Sequence, residues 1–372
     1  MTNNIKAGII TFHCVNNAGA VLQCYALQET IKKLGVDVEV INYLPKSLTN
    51  PYKVVFNPFA HLGNGSFLEK LILLTRHIRL ILLRLKSKIR YGQFRGRYLN
   101  LSGKSYKNGG QIALADKYSH YITGSDQVWN LRLLGGFDPV YLLKFPPARS
   151  KRIAYAASFG EELEEKYYAD FQESIRGFDH ISVREESAQG FISRFTDKTI
   201  ECTLDPTLLL PREEWEKLAK GAKFKDYILV HDMLSDKRLV DIADALSEGL
   251  NLKVISYTKA GNFKKGIHSF AYDGPSAFLG LVKNADFVIT SSLHGLTFSI
   301  LYKKNFIAIP CPPRESRIID LLNKCKLQER IIRSKEELGQ IDLRSPVDFT
   351  KAEEILGLEK TKSIEFLKTA LG

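Results

Sequence analysis

The 372-residue chain has no apolar run long enough to cross a bilayer. A spanning helix needs about 18 or more consecutive apolar residues, and Arg76, His77 and Arg79 break the greasiest region. Cysteine is sparse: Cys14, Cys24, Cys202, Cys311 and Cys325 are odd in number and show no Cys-x-x-Cys or Cys/His ligand spacing. That argues against a disulfide framework or a zinc site and favours a reducing, cytoplasmic setting. One lysine precedes the run Ala7-Gly8-Ile9-Ile10-Thr11-Phe12, which is too short and too weakly flanked for a signal peptide and is expected to be a first strand. There is no Walker loop, no Gly-x-Gly-x-x-Gly in a strand-to-helix context, no His-Glu-x-x-His and no repeat of fixed period, so no metal or nicotinamide cofactor is expected.

What is present describes a folded protein, with 44% hydrophobic and 25% charged residues. The length favours two cores over one. Lys and Arg number 53 against 41 acids, a formal charge of +12, and such a field attracts phosphorylated substrates, nucleic acid or acidic lipid. No recognised nucleic-acid reading module is visible, so nucleic acid is not expected as a partner.

Short β runs at Gly8 to Phe12, Val36 to Ile41, His120 to Thr123, Arg152 to Ala156 and His180 to Val183 have helical patterns between several of them. This is the pattern of a parallel sheet covered by helices. After Leu204-Asp-Pro-Thr-Leu-Leu-Leu-Pro211 the rhythm restarts with strands Tyr227 to Val230, Leu252 to Tyr257, Phe287 to Thr290 and Phe306 to Ile309. Helices are expected at Asp236 to Leu250, Ser276 to Lys283, from about Gly295, and at Ser316 to Lys324. The expected division is an α/β domain over 1–211 with a basic helical insertion at about 45–115, a second α/β domain over 212–345, and a C-terminal helix over 346–372 packing back. Thr350-Lys-Ala-Glu353 has the form of a capping box for that helix, with Ile355, Ile364, Leu367 and Leu371 as its buried stripe. Pro45 to Gly65 is rich in Pro, Asn and Gly and is expected to be a loop or lid.

From Phe67 to Tyr91 the apolar residues Phe67, Leu71, Leu74, Ile78, Ile81, Leu85 and Ile89 recur every three or four positions, marking an amphipathic helix. Arg76, Arg79, Lys86 and Arg90 share another face. Such a helix either lies in a membrane interface or packs on the core with a solvated basic face, and the pattern alone leaves both open.

In open α/β sheets ligands bind beyond the carboxyl ends of the strands, so the residues just after each strand are the candidates. Ser291, Ser292, His294 and Gly295 fall where a strand ends and a helix starts, a place whose N–H groups favour anions. His294 either moves a proton or merely caps the helix. Arg184 follows a strand and either grips a phosphate or carboxylate or pairs with Glu185 or Glu186. Arg314 and Arg317 offer a cationic pocket in the second domain or a solvated helix start. Asp126, in Gly-Ser-Asp-Gln-Val-Trp-Asn with Ser125, either accepts a proton from a sugar hydroxyl or forms an Asx turn. Trp129 is a sugar platform or core; Asn17 and Gly19 bind a ligand or start a helix.

Taken in order, "NNAGAVLQCYALQETIKKLG" with "VINY", "GSDQVWN", "KRIAYAASFG", "ISVREESA", "LDPTLLL" and "ADFVITSSLHGLTFSILYKKNFIAIP" resemble the polysaccharide pyruvyltransferase family over most of the chain. The resemblance implies two Rossmann-like domains facing a cleft, as in the GT-B glycosyltransferase architecture, with acceptor on the first and donor on the second. It implies transfer of pyruvate from phosphoenolpyruvate to two hydroxyls of a galactose-like hexose in a surface polysaccharide such as a bacterial capsule, forming a cyclic ketal and releasing phosphate. A polyprenyl-diphosphate-linked glycan is the expected acceptor, and peripheral contact through 67–91 with the inner face of the cytoplasmic membrane fits it. His294 and Asp126 are then the expected catalytic pair, with Arg184, Ser291, Ser292, Gly295, Arg317, Asn17, Gly19, Ser125 and Trp129 around the substrates. Many members carry arginine where Ser292 stands; Arg317 and Lys303 are the candidates for that charge. The alternatives are a nucleotide-sugar glycosyltransferase on the same plan and a noncatalytic anion or glycan-binding protein.

Overall fold

The computed structural model describes residues 5–53, 67–114, 117–161, 163–221, 224–232, 236–257, 266–312 and 315–372, with backbone alone at 67–73 and 266–269. Two parallel sheets form. The first has seven strands, β1 (Lys6–Ile10), β2 (Asp37–Tyr43), β3 (Leu101–Tyr106), β4 (His120–Asp126), β5 (Lys151–Ala157), β6 (His180–Val183) and β7 (Ile200–Cys202), in the order β3-β2-β1-β4-β5-β6-β7. The second has β8 (Tyr227–His231), β9 (Lys253–Ser256), β10 (Gly266–Ser269), β11 (Phe287–Thr290) and β12 (Asn305–Ala308), in the order β10-β9-β8-β11-β12. The central strands β4, β8 and β11 are buried at every residue, as parallel strands covered on both faces must be.

The chain order reverses between β1 and β4 in one sheet and between β8 and β11 in the other. At each reversal the following loops diverge and leave a crevice at the carboxyl ends. The two crevices face each other. One apolar cluster runs from Ala7, Ile9 and Val40 of the first sheet to Leu229, Ile255 and Val288 of the second, so the halves share core. Tyr91 and Tyr257 meet hydroxyl to hydroxyl at 3.3 Å, and the Leu204 N–H donates to Ser363 Oγ at 3.0 Å. An interface of that apolar kind limits relative domain motion.

Three strands escape the sequence pattern: β3, β7 and β10 lie at sheet edges, where short or polar sequence suffices. With β3 inside it, the segment 45–115 is more than a helical insertion. Between Pro45 and Lys53 the expected loop forms short turns, Lys46–Thr49 and Asn50–Tyr52, while 54–65 lie outside the described residues. The C-terminal helix is Thr350–Leu371, but the capping box does not form. Phe349 is the N-cap and Asp348 Oδ1 accepts from the Thr350 N–H at 2.9 Å, an ionised acceptor displacing a hydroxyl. Glu353 instead reaches Lys303 Nζ at 2.7 Å. The helix buries Leu367 and Leu371 with Ala352, Phe366 and Ala370, whereas Ile355 and Ile364 are half-buried.

Candidate functional site

A cavity of about 280 Å³ opens between the two reversal points. Phe12, Val15 and Asn17 from the loop after β1, Asp126 and Gln127 from the end of β4, and Leu48, Pro51 and Tyr52 from the turns at 46–52 form one wall. Ser291 to His294 and Arg317 form the other. Of the expected residues, the cavity brings together Asn17, Asp126, Ser291, Ser292, His294 and Arg317.

The second wall is built from an uncapped helix start. The helix Leu293–Leu301 has Ser292 as N-cap, and the Ser292 side chain makes no capping bond to its first turn. Ser291 Oγ donates to Asp232 Oδ1 at 2.8 Å, and the Ser292 N–H donates to Thr290 Oγ1 at 3.0 Å, so the turn is held from beneath. Gly295 is required by packing: a Cβ there would stand 2.2 Å from Thr290 Oγ1 and 2.8 Å from His231 Nδ1. Arg317 comes from the next helix, Ser316–Cys325. The Gln127 amide, with its oxygen toward the guanidinium, accepts from both terminal nitrogens at 3.1 Å. Lys303 is paired with Glu353 and does not line the cavity, so among the described residues Arg317 is the arginine or lysine on this wall. Arg314 lies outside the described residues.

The first wall is a carboxylate set organised around a buried arginine. Arg184 Nη1 donates to Asp205 Oδ2 at 2.8 Å and Nε to Glu185 Oε1 at 3.0 Å, while Nη2 stands 3.9 Å from Asp126 Oδ1. Burial alone would ease its proton off; Glu185, Asp205 and Asp126 outweigh that and hold it charged. Arg184 thus pairs with Glu185, one of the two roles expected of it, and among the described residues its Nη2 has no hydrogen-bond partner. It sits behind the cavity beside a void of about 30 Å³, room for a single water, with Glu185 and Asp205 already on its fork. Burial would likewise raise the Asp205 carboxyl, but His294, Arg184 and the Thr207 hydroxyl hold it well below the usual carboxylate range. His294 Nε2 lies 3.5 Å from Asp205 Oδ2, the long limit of a hydrogen bond, and its Nδ1 edge packs against Gly19. Asp126 has φ 76°, a left-handed conformation that aspartate tolerates better than most residues, and its carbonyl accepts from the N–H groups of Val128 and Ser158.

Three expected contacts are corrected. Trp129 is 1% exposed among Phe159, Phe171 and Phe178, with its indole N–H donating to Tyr141 O at 3.3 Å, so it is core and no sugar platform. Ser125 is fully buried and donates to Ala156 O at 3.0 Å. Gly19 touches no cavity but backs His294: a Cβ on it would stand 2.1 Å from Nδ1. Asn17 does both things open to it, lining the cavity while its Oδ1 accepts from the Ala20 N–H at 3.1 Å as the cap of helix Ala18–Lys33. Sequence reasoning missed Asp205, Gln127, Asp232 and His231. Asp205 had a signal, an acid before proline inside an apolar run, since a carboxylate entering a core needs a buried cation. Among the described residues no three His, Cys, Asp or Glu side chains converge to hold a metal ion.

Solved structures of the same architecture include the putative UDP-N-acetylglucosamine 2-epimerase of Listeria monocytogenes, 10% identical, covering 98% of this chain and 96% of its own, with a TM-score of 0.54. The UDP-N-acetylglucosamine 2-epimerase of Rickettsia bellii is likewise 10% identical, covering 99% and 97%, with a TM-score of 0.53. At that identity they show the fold alone, a GT-B-like pair of α/β domains. No curated protein matches the sequence. The family model for polysaccharide pyruvyl transferase matches residues 17–312, from the cap of the first helix through the His294 helix to β12 and beyond. On that match over most of its length, the chain belongs to the polysaccharide pyruvyl transferase family.

Proposed function

We propose that the cavity takes phosphoenolpyruvate and transfers its pyruvyl group to two hydroxyls of one hexose in a surface-polysaccharide precursor. The observation that carries this reading is the pairing of an uncapped helix start, with His294 and Arg317, against the carboxylate of Asp126 in one small cavity. The donor is a small dianion or trianion, and helix N–H groups with a guanidinium suit its phosphate and carboxylate. C3 of the enol gains a proton, the first hydroxyl adds to C2, the C2–O bond to phosphate breaks, and the second hydroxyl closes the ketal. Two hydroxyl protons are released; one replaces the proton delivered to C3 and the other leaves with phosphate. Asp126, with no closer cation among the described residues than Arg184 at 3.9 Å, is the acceptor for a hydroxyl proton. His294, held by Asp205, is the acid or phosphate ligand.

Titration of the purified protein with phosphoenolpyruvate and with a panel of nucleotide sugars tests this directly. Saturable phosphoenolpyruvate binding, weakened at least about tenfold in both Arg317→Ala and His294→Ala, is expected from the loss of a charge-assisted contact. Binding of a nucleotide sugar in place of phosphoenolpyruvate would move the protein to glycosyl transfer and end the reading. With donor and acceptor saturating, Asp126→Asn should lower turnover by about a hundredfold or more.

A further inference from the structure

The helix Phe67–Tyr98 wears apolar side chains on the wrong side. Its packed face is Ser87, Tyr91 and Phe94, which turn toward the body of the protein. Leu74, Ile78, Leu82, Leu85 and Ile89, spaced by four, four, three and four, stand 40 to 60% exposed. At 100° per residue they share one stripe, on the side of the helix away from the packed face, about 22 Å long. Arg79, Lys86 and Arg90 run along one flank of that stripe and Lys88 along the other, all exposed. Folding has not hidden the stripe, so a solvated basic face above a core-packed apolar one does not describe this helix.

We infer that this stripe is a docking surface for an anionic membrane, with the leucines and isoleucines entering the headgroup boundary and the flanking cations meeting lipid phosphates. Charge complementarity selects the occupant. A chain of net charge +12 with cations edging an apolar stripe fits a negative surface that also accepts hydrocarbon. A second copy docked stripe to stripe would set its own Arg79, Lys86 and Arg90 rows close to like charges. A peptide helix needs a groove, and this stripe comes from one helix alone. No helix among the described residues is long and apolar enough to cross a bilayer, so the contact lies along the surface. The same helix is tied to the cavity: Arg95 Nη1 donates to Val15 O and Asn16 Oδ1, both at 3.3 Å, in the loop whose Val15 and Asn17 line it. Arg95 is six residues, about 9 Å of helix, beyond Ile89. Seating the stripe therefore holds the cavity wall close to the bilayer surface, where a lipid-borne acceptor would be within reach. The inference does not rest on the reaction proposed above.

Flotation of the full chain with phosphatidylcholine vesicles, with and without a third phosphatidylglycerol, is the test. Binding to the anionic vesicles alone is expected. It should fall at least about tenfold in Ile78→Ser/Leu82→Ser/Ile89→Ser and about a hundredfold in Arg79→Gln/Lys88→Gln/Arg90→Gln, which leaves the Lys86–Asp273 pair intact. Equal affinity for both vesicle types, or anionic binding unchanged by the serine substitutions, would overturn the inference. So would a dimer in sedimentation velocity that the serine variant dissociates, since the stripe would then belong to a second copy.

Discussion

The two walls of the cavity hold their arginines in different settings. On the first wall Arg184 already has Glu185 and Asp205 on its fork, and three acids surround one guanidinium. On the second, Ser292 makes no side-chain capping bond at the helix start, and Arg317 lines the cavity with the Gln127 amide oxygen on its guanidinium. A cation surrounded by acids organises its neighbours, whereas one that lines a cavity can also reach a ligand. The two arginines look equivalent in a sequence, each near the end of a β run, yet one is surrounded by acids behind the cavity and the other lines it.

Substituting each arginine in turn would break this comparison most sharply. Arg184→Ala takes the buried cation away from Asp205 and Glu185 and should cost about 3–5 kcal/mol of stability, read by denaturant unfolding. Arg317→Ala should change stability by about 1 kcal/mol or less while raising the donor's KM. If Arg184→Ala instead folded normally and lost only donor affinity, the first wall would be a ligand clamp after all.

Gly19 tests whether the walls must register against each other. Alanine fits the helix it sits in, but its Cβ meets the imidazole of His294 at 2.1 Å and must push the ring off Asp205. A fall in kcat of about a hundredfold with donor binding largely kept is expected, since small misplacements of a reacting group cost that much. Unchanged turnover would mean that the position of His294 does not matter.

The contrast also explains how much could be read in advance. Both sheets were legible because parallel strands buried on both faces must be apolar runs, and strand ends had to point at the cavity by the topology of such sheets. Edge strands β3 and β7 were not, since a three-residue strand or one with Gly103 and Lys104 outward carries no such pattern. The second wall was legible because it is one contiguous stretch, Ser291 to Gly295. The first is assembled from residues 126, 184, 185 and 205, whose pairing depends on how the four strands β4 to β7 lie side by side. Trp129 and Ser125 misled for the same reason: sequence places them after a glycine turn, but only the folded chain shows that turn facing inward.

The pH dependence of stability separates the walls more finely. Burial pushes the His231 imidazole down to about 3 from its ordinary 6.5, with the charge of His294 adding to the effect. The folded state therefore keeps it neutral where the unfolded chain takes up a proton, so stability present above pH 6.5 is lost progressively as pH falls toward 3. Between pH 6.5 and about 5 the loss should be about 2 kcal/mol. Asp205, whose folded carboxyl is depressed, loses its share only below the ordinary carboxylate range. In His231→Gln the drop in urea midpoint between pH 6.5 and 5 should shrink, with His13 and His120, also lowered by burial, supplying what remains; an undiminished drop would place the titrating group elsewhere.

Asn17 sharpens the comparison at its smallest scale, because it serves the framework and faces the cavity at once. Loss of its cap in Asn17→Ala should cost about 1 kcal/mol, and Asn17→Ser should recover most of that by offering its hydroxyl to the same backbone N–H. Serine is shorter, however, and gives up the amide nitrogen that asparagine can turn toward a ligand. If activity returns with stability in the serine variant, Asn17 acts only by starting the helix behind His294. If stability returns and kcat/KM stays several-fold low, the amide itself contacts substrate, and the first wall contributes a polar group that is not committed to its own charge network.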